Sequence, residues 1–504
     1  MKKITFLSLL LLASTMLSAQ LKITNNQTVM LENAGKRGLF SSYFSARLYA
    51  GFDGEFHYFV LNNKDIFKID SDLKQSSNLT LDEKFNEFVM FNFASPDGVG
   101  FVTLDYDKKA NEIVIYKMNI GSGSHLSKQQ VKTIELDKGD EYYPLVTVSN
   151  DKSKKVLGLS IVSKKGEYKF TKLFVFDNKA NIVWEEEVSP KFKNESFSIS
   201  DLALSNNGIV YLMVTSFSTE KKRKINFKYE FVKVTEDGID ETNSEIIPMS
   251  EIKDVAIKIL KNGNLFVGGY YFDRSKKQEV LKSFSYIFDG KSLEKLSDDN
   301  SADFSKIIPQ GTKPNLVYSF YPYNVVVSDV FEHQDGSVTM FAEERYFVKY
   351  YQNGGLYKVD YQYRNVFIST FSADGQAQDQ AILYKSQYVK STSELSPYKL
   401  PLSYDVLNID DKLYLIYNES VKADISKNLP VKKLWDIGKN EDKTTTLVCE
   451  IENGKIGKKQ VLVNSQQEGR YYVKVITENA NEAVIYTQSE DVLTGKIMLE
   501  KITW

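Results

Sequence analysis

The chain of 504 residues has a single cysteine, Cys449, and three histidines, His57, His125 and His333. One thiol cannot staple a fold or complete a multi-cysteine metal site, and three scattered imidazoles make no histidine-rich centre. Net charge is nearly absent: 64 basic against 66 acidic side chains leave −2, so no strong field points to nucleic acid or an anionic membrane. Proline is scarce at 10, and no Pro/Gly/Ser-rich stretch marks a linker. There is no P-loop, no dinucleotide fingerprint and no G-x-S-x-G elbow. Past the first twenty residues, no run reaches the ~18 apolar residues of a transmembrane helix. These absences leave no catalytic residue, metal ligand or cofactor site to name.

The first segment is an address. Residues 1–19, MKKITFLSLLLLASTMLSA, place Lys2 and Lys3 before an apolar stretch from Ile4 to Leu12 and end on Ser18-Ala19. That is the pattern of a secretory signal peptide, too short in its apolar part to stay in a bilayer. The mature chain is expected to start near Gln20, exported and soluble in the periplasm or outside, with no membrane span.

The rest is a repeated paragraph. Turn pairs recur at Asp53-Gly54, Asp97-Gly98, Asn150-Asp151, Asn207-Gly208, Asn262-Gly263, Asp335-Gly336, Asp410-Asp411 and Asn479-Ala480-Asn481. Each precedes a β-branched and aromatic run, such as VLGLSIV or LFVGGYY, and a second such run follows, such as FTKLFVFD or KSFSYIFD. Asn-Gly and Asp-Gly supply the positive φ that a tight hairpin needs. One strand lies ahead of each turn and a more polar one ends most units. The unit therefore reads A–turn–B–loop–C–turn–D, repeated about eight times.

A four-stranded sheet with two apolar faces cannot bury them alone; sheets packed face to face around an axis can. The fold class is therefore all-β, a β-propeller of eight four-stranded blades, with seven as the alternative count. It forms a single domain over 20–504. The last unit stops after strand C, so a segment near Gln27–Leu31 is expected to supply its fourth strand and close the ring. Paired β-sandwich domains are the competing arrangement. The organisation resembles bacterial secreted β-propeller proteins over the whole mature chain, at the level of architecture only. No WD dipeptide ends the units, a kelch-like double glycine within a strand-like run occurs once, at Gly268-Gly269, and Ser95-Pro96-Asp97-Gly98 is part of an Asp-box that does not recur.

Long connections should project from one face of such a ring, in blades five to seven: 297–323, 346–363, 385–401 and 419–443. They are aromatic, with Tyr318, Tyr321, Tyr323, Tyr346, Tyr350, Tyr351, Tyr357, Tyr361, Tyr363 and Trp435. Tyr and Trp give large contact area at low entropic cost. Residues Tyr321, Tyr350, Tyr351, Tyr357 and Trp435 are therefore the candidate ligand-binding set, for an extracellular protein or a glycan. Alternate tyrosines on a hairpin are equally the mark of cross-strand pairs. Two other functions stay open: a glycan-active hydrolase or lyase with carboxylates at the channel mouth, and a structural cell-envelope component. Gly121-Ser122-Gly123-Ser124-His125 is not a triad, Asp105/Asp107 with Asn111 and Glu112 lacks the spacing of a calcium loop, and Cys449 reads as a small core residue.

Overall fold

In the computed structural model the described residues are 22–29 and 47–503. Undescribed within that span are 53–55, 62–64, 71, 81–87, 96–97, 121–125, 190–195, 221–223, 241–251, 274–279, 299, 308–324, 352–356, 386, 392–402, 429–434, 437–442, 453, 465–469, 479–481 and 490–496. The expected signal peptide and the Gly121–His125 run lie outside the described residues.

Among the described residues the strands form eight sheets, seven of four strands and one of six. The sheets are antiparallel meanders in chain order, apart from one parallel pair in the six-stranded sheet and the N-terminal strand that joins the eighth. The third shows the pattern: Glu141–Val148, Lys155–Val162, Tyr168–Phe176 and Ile182–Val188. The eighth is built from Arg470–Glu478, Glu482–Ser489 and Ile497–Thr503, and its fourth strand is Lys22–Val29, paired antiparallel to Ile497–Thr503. The N-terminal strand thus closes the last sheet, starting earlier than the segment expected from the sequence.

The packing decides between propeller and sandwich. In a sandwich each sheet buries one face and wets the other. Here both faces are buried. In the third sheet Leu157, Leu159, Ile161, Phe174 and Phe176 join Phe91, Phe93, Val102 and Leu104 of the second. The alternate residues Val156, Leu173 and Val175 join Leu202, Leu204, Val210 and Leu212 of the fourth. The same two-sided sharing continues from fourth to fifth, fifth to sixth, sixth to seventh and seventh to eighth. A sheet that shares each face with a different neighbour is a propeller blade, and the all-β propeller follows.

The turns behave as the sequence demands. Gly263 and Gly336 hold φ of 87° and 82°, the left-handed region that admits glycine at no steric cost. Asp410 and Asp411 occupy it without glycine, at 48° and 69°. Gly290 serves a different need. A Cβ there would fall on the Gly263 carbonyl oxygen, and the Gly290 carbonyl itself accepts the Tyr211 hydroxyl from the neighbouring sheet. Gly290→Ala is therefore expected to cost about 1–3 kcal/mol by overpacking, read as a lower denaturation midpoint. A midpoint equal to wild type would show that the turn can yield.

Candidate functional site

Among the described residues strand A of each sheet is an edge strand, hydrogen-bonded to a neighbouring strand on one side only. Unpaired edge amides need acceptors. In three successive blades an aspartate follows a β-bulge in that strand: Asp201 in Ser196–Leu204, Asp254 in Ile252–Ile259 and Asp329 in Val325–Glu332. The bulge adds one residue and re-aims the next side chain. Asp201 accepts the Leu202 amide at 2.8 Å and, from the next blade, the Ile257 amide at 2.8 Å. Asp254 repeats this with Val255 at 3.0 Å and Val327 at 2.8 Å. These carboxylates clamp each inner strand to the next.

Asp329 is held differently. The Ser328 hydroxyl bonds it, and the charges of Asp405, Arg345 and Glu343 act on it. Asp405 lies in the next inner strand, Tyr404–Ile409, whose Tyr404 hydroxyl meets Ser328. Burial pushes all three acids up, Asp201 to about 6, Asp254 to about 7 and Asp329 to about 6, against the hydrogen bonds that favour the ionised form. A cavity of about 310 Å³ lies among these strands, with Asp201, Asp254, Asp329, Lys258, Val148 and Asn150 in its wall. It follows the strands from their middle toward the A–B turns.

At the other end of the ring one blade is enlarged. Strands Val338–Tyr351 and Tyr357–Phe371 form a long hairpin, as expected for 346–363. Past its fourth strand, Ala377–Leu383, the chain returns as Gln387–Ser391 alongside the hairpin's outer half. Trp435–Asp436, from the B–C connection of the seventh blade, then pairs in parallel with Gln387 and Tyr388. Two expected connections are thus partly strand. The segment 297–323 likewise begins with the fifth blade's fourth strand, Asn300–Asp303, and a 3₁₀ turn, Phe304–Lys306.

The stem of this extension holds a buried charge network. Glu343 is fully buried, with Lys385 Nζ 2.5 Å from Oε1 and Arg345 Nε 2.8 Å from Oε2. The Ser403 hydroxyl donates to Oε2 at 2.5 Å. Lys385 also donates to Gln387 Oε1 at 3.0 Å, and the Gln387 amide donates to the Asn418 carbonyl at 2.6 Å. Thr446 continues the chain to Asn418 Oδ1 at 3.0 Å. Burial pushes the Lys385 ammonium down, while Glu343 acts to keep it charged.

The aromatic set divides. Tyr351 is paired with Tyr357 at the hairpin end, with Tyr350 opposite Lys358. Trp435 is on the same sheet but lies opposite Gln387, itself opposite Tyr363. Six residues of strand separate Tyr363 from Tyr357, about 20 Å, so Trp435 and the hairpin-end tyrosines mark two places on one sheet. Tyr318, Tyr321 and Tyr323 lie outside the described residues. Tyr346, Tyr361 and Tyr363 are buried. The Arg364 guanidinium covers the Tyr346 ring at 4.8 Å, and Arg345 covers Tyr363 at 5.4 Å. Those three belong to the stem.

Other candidates settle as structure. Asp107 accepts the Lys109 and Ala110 amides of its own turn. His333 bonds Thr339 Oγ1 at 2.9 Å through Nε2 and lies 3.3 Å from Asp411 through Nδ1, tying two turns together. Cys449 is buried in Thr444–Glu452, its thiol pushed up to about 12 by burial. The channel aspartates were the residues missed. Their signal was present as Ser200-Asp201-Leu202, Lys253-Asp254-Val255, Ser328-Asp329-Val330 and Tyr404-Asp405-Val406, an aspartate before an aliphatic residue in four consecutive A strands.

No protein-family model matches the chain, and no curated protein matches it in sequence. Among solved structures it is similar to the polysaccharide lyase Uly1, at 10% identity over 82% of this chain and 89% of that one, with a TM-score of 0.37. It is similar to BamB from Moraxella catarrhalis, at 10% identity over 78% and 96%, with a TM-score of 0.33. The β-propeller domain of the Trilobed protease from Pyrococcus furiosus gives 11% identity over 68% and 94%, with a TM-score of 0.30. At these scores the likenesses carry no argument about activity; the fold stands on the shared blade faces. Among the described residues no helix is long and apolar enough to cross a membrane.

Proposed function

We propose that the protein is an exported binding module that recognises an extracellular protein or glycan through the six-stranded sheet. The observation that carries this reading is the enlargement of one sheet among the eight described, on a stem of buried charges. A propeller closes without such an extension, and buried ion pairs are costly to form. A fixed platform raised from a rigid scaffold is the arrangement on which binding surfaces are commonly built. Tyr350, Tyr351 and Tyr357 at the hairpin end, with Trp435 on the edge, are the proposed contacts.

Aromatic hot spots contribute ~2 kcal/mol or more each, so losing three weakens binding by roughly a hundredfold or more. The test is a glycan array and an array of purified extracellular proteins, probed with mature protein and with the Tyr350→Ala/Tyr351→Ala/Trp435→Ala variant. A signal lost in a variant whose melting temperature is unchanged supports the platform. A signal that survives removes it.

The hydrolase or lyase reading has one observation in its favour, the charge of Asp405 acting on Asp329, which lines the cavity. The aspartates at the same place in the two preceding strands, Asp201 and Asp254, serve the frame through their amide bonds, and Asp329 follows the same bulge in its own strand, which favours a structural part for it too. Release of new reducing ends from a polysaccharide panel, abolished in Asp329→Asn, would shift the assignment to an enzyme.

A further inference from the structure

We propose that the channel cavity is a second ligand site, taking a neutral polyhydroxylated molecule of monosaccharide size. The proposal is independent of the six-stranded sheet, because the cavity follows the inner strands toward the A–B turns while the extension rises from the opposite face.

Size is the first argument. About 310 Å³ is at the lower end of the range for small-molecule pockets and far below what a folded partner needs. Charge is the second. Asp201, Asp254 and Asp329 in the wall oppose an anion. Lys258 stands on the same strand face as Asp254, with Ala256 between them, and offsets one of those charges, while burial pushes the three acids toward their neutral forms, so the wall lacks the full negative charge that would select a cation. A neutral ligand is what remains.

Hydrogen-bonding capacity is the third argument. A carboxylate offers about four lone-pair positions. Asp201 and Asp254 each give two of these to backbone amides, so acceptor positions are left for hydroxyl donors. Lys258 donates and the wall carboxylates accept, which suits a molecule whose groups are both donors and acceptors. On the third blade's strand, Val148 is exposed at 40% and gives the wall an apolar patch for a carbon–hydrogen face. A polyol ring has both kinds of surface; a peptide ammonium or a sulfate has neither pairing.

The test uses the mature full-length protein and saturation-transfer difference NMR with glucose, galactose, mannose and N-acetylglucosamine, followed by calorimetry. At least one of these is expected to bind with a Kd of about 1 mM or tighter. Ala256→Trp and Val148→Trp fill the cavity from two different walls, so one misfolded variant leaves the other as the test. Either one, if folded, is expected to weaken binding roughly tenfold or more. Methyl glycosides separate the sources: equal binding identifies a chain-terminal residue, and loss identifies the free sugar. No saturation transfer from any neutral sugar overturns the proposal. So does transfer that survives in a folded cavity-filling variant, and so does full competition by spermidine or sulfate.

Discussion

Glu343→Ala is expected to lower stability by about 3–5 kcal/mol. The carboxylate neutralises Lys385, which is fully buried, and anchors Arg345 and the Ser403 hydroxyl. Removing it leaves an ammonium without its counter-ion in a place water does not reach. Reversing the experiment separates the cost of an orphaned charge from the worth of the pair. Glu343→Leu with Lys385→Met replaces both ends by apolar groups of similar volume, and should recover most of the loss. Urea denaturation of the two variants, with slopes compared to confirm similar unfolding, reads both numbers. A Glu343→Ala midpoint within about 0.5 kcal/mol of wild type would mean that the stem relaxes and lets water reach Lys385. The proposed rigid platform would then lose its support.

The network also marks where reading the sequence stops. The ring was legible because its causes are local: turn residues with positive φ at Gly263 and Gly336, and strands apolar on both faces that one sheet cannot bury. Closure was legible from the count of strands in the last unit. The stem was not. In VTMFAEERYFVKYY nothing local marks Glu343, Glu344 and Arg345 for enclosure. Glu343 and Glu344 are buried and Arg345 half-buried because Gln387–Ser391 returns alongside and Ser403 and Asn418 arrive from beyond it. Trp435 joins the same sheet from the next blade's connection, a parallel pairing that no local periodicity encodes. The channel clamps fall between these cases. Each aspartate is visible in its own strand, but its partner amide is in the next blade, more than fifty residues away: Ile257 is 56 from Asp201 and Val327 is 73 from Asp254.

The second large effect concerns those clamps, and its sign is set by burial. Asp254 is pushed up to about 7, mainly by desolvation and in part by the charge of Asp201, from an ordinary value of 3.8. The folded state therefore keeps a proton that the unfolded chain releases above pH 4, and the unfolded state binds fewer protons throughout that window. Stability is then fully present below about pH 4 for this group and falls as pH rises toward 7, by an amount on the order of a few kcal/mol. Asp201 and Asp329, each raised to about 6, add to the same trend. Asp254→Asn removes the titration, so the decline between pH 4 and 7 should become shallower. It should not raise stability outright. The carboxamide has one acceptor oxygen, whereas Asp254 serves the amides of Val255 and Val327 with separate oxygens. One backbone donor is left unsatisfied at a cost of about 1–3 kcal/mol, and Asp254→Ala, which frees both, should cost about twice that. Denaturation midpoints of the three proteins at pH 4, 5.5 and 7.5 decide the matter. A parallel decline in wild type and Asp254→Asn would assign the pH dependence to other groups. A wild type that gains stability over this range would mean that the amide bonds outweigh burial and that the carboxylate stays ionised in its clamp.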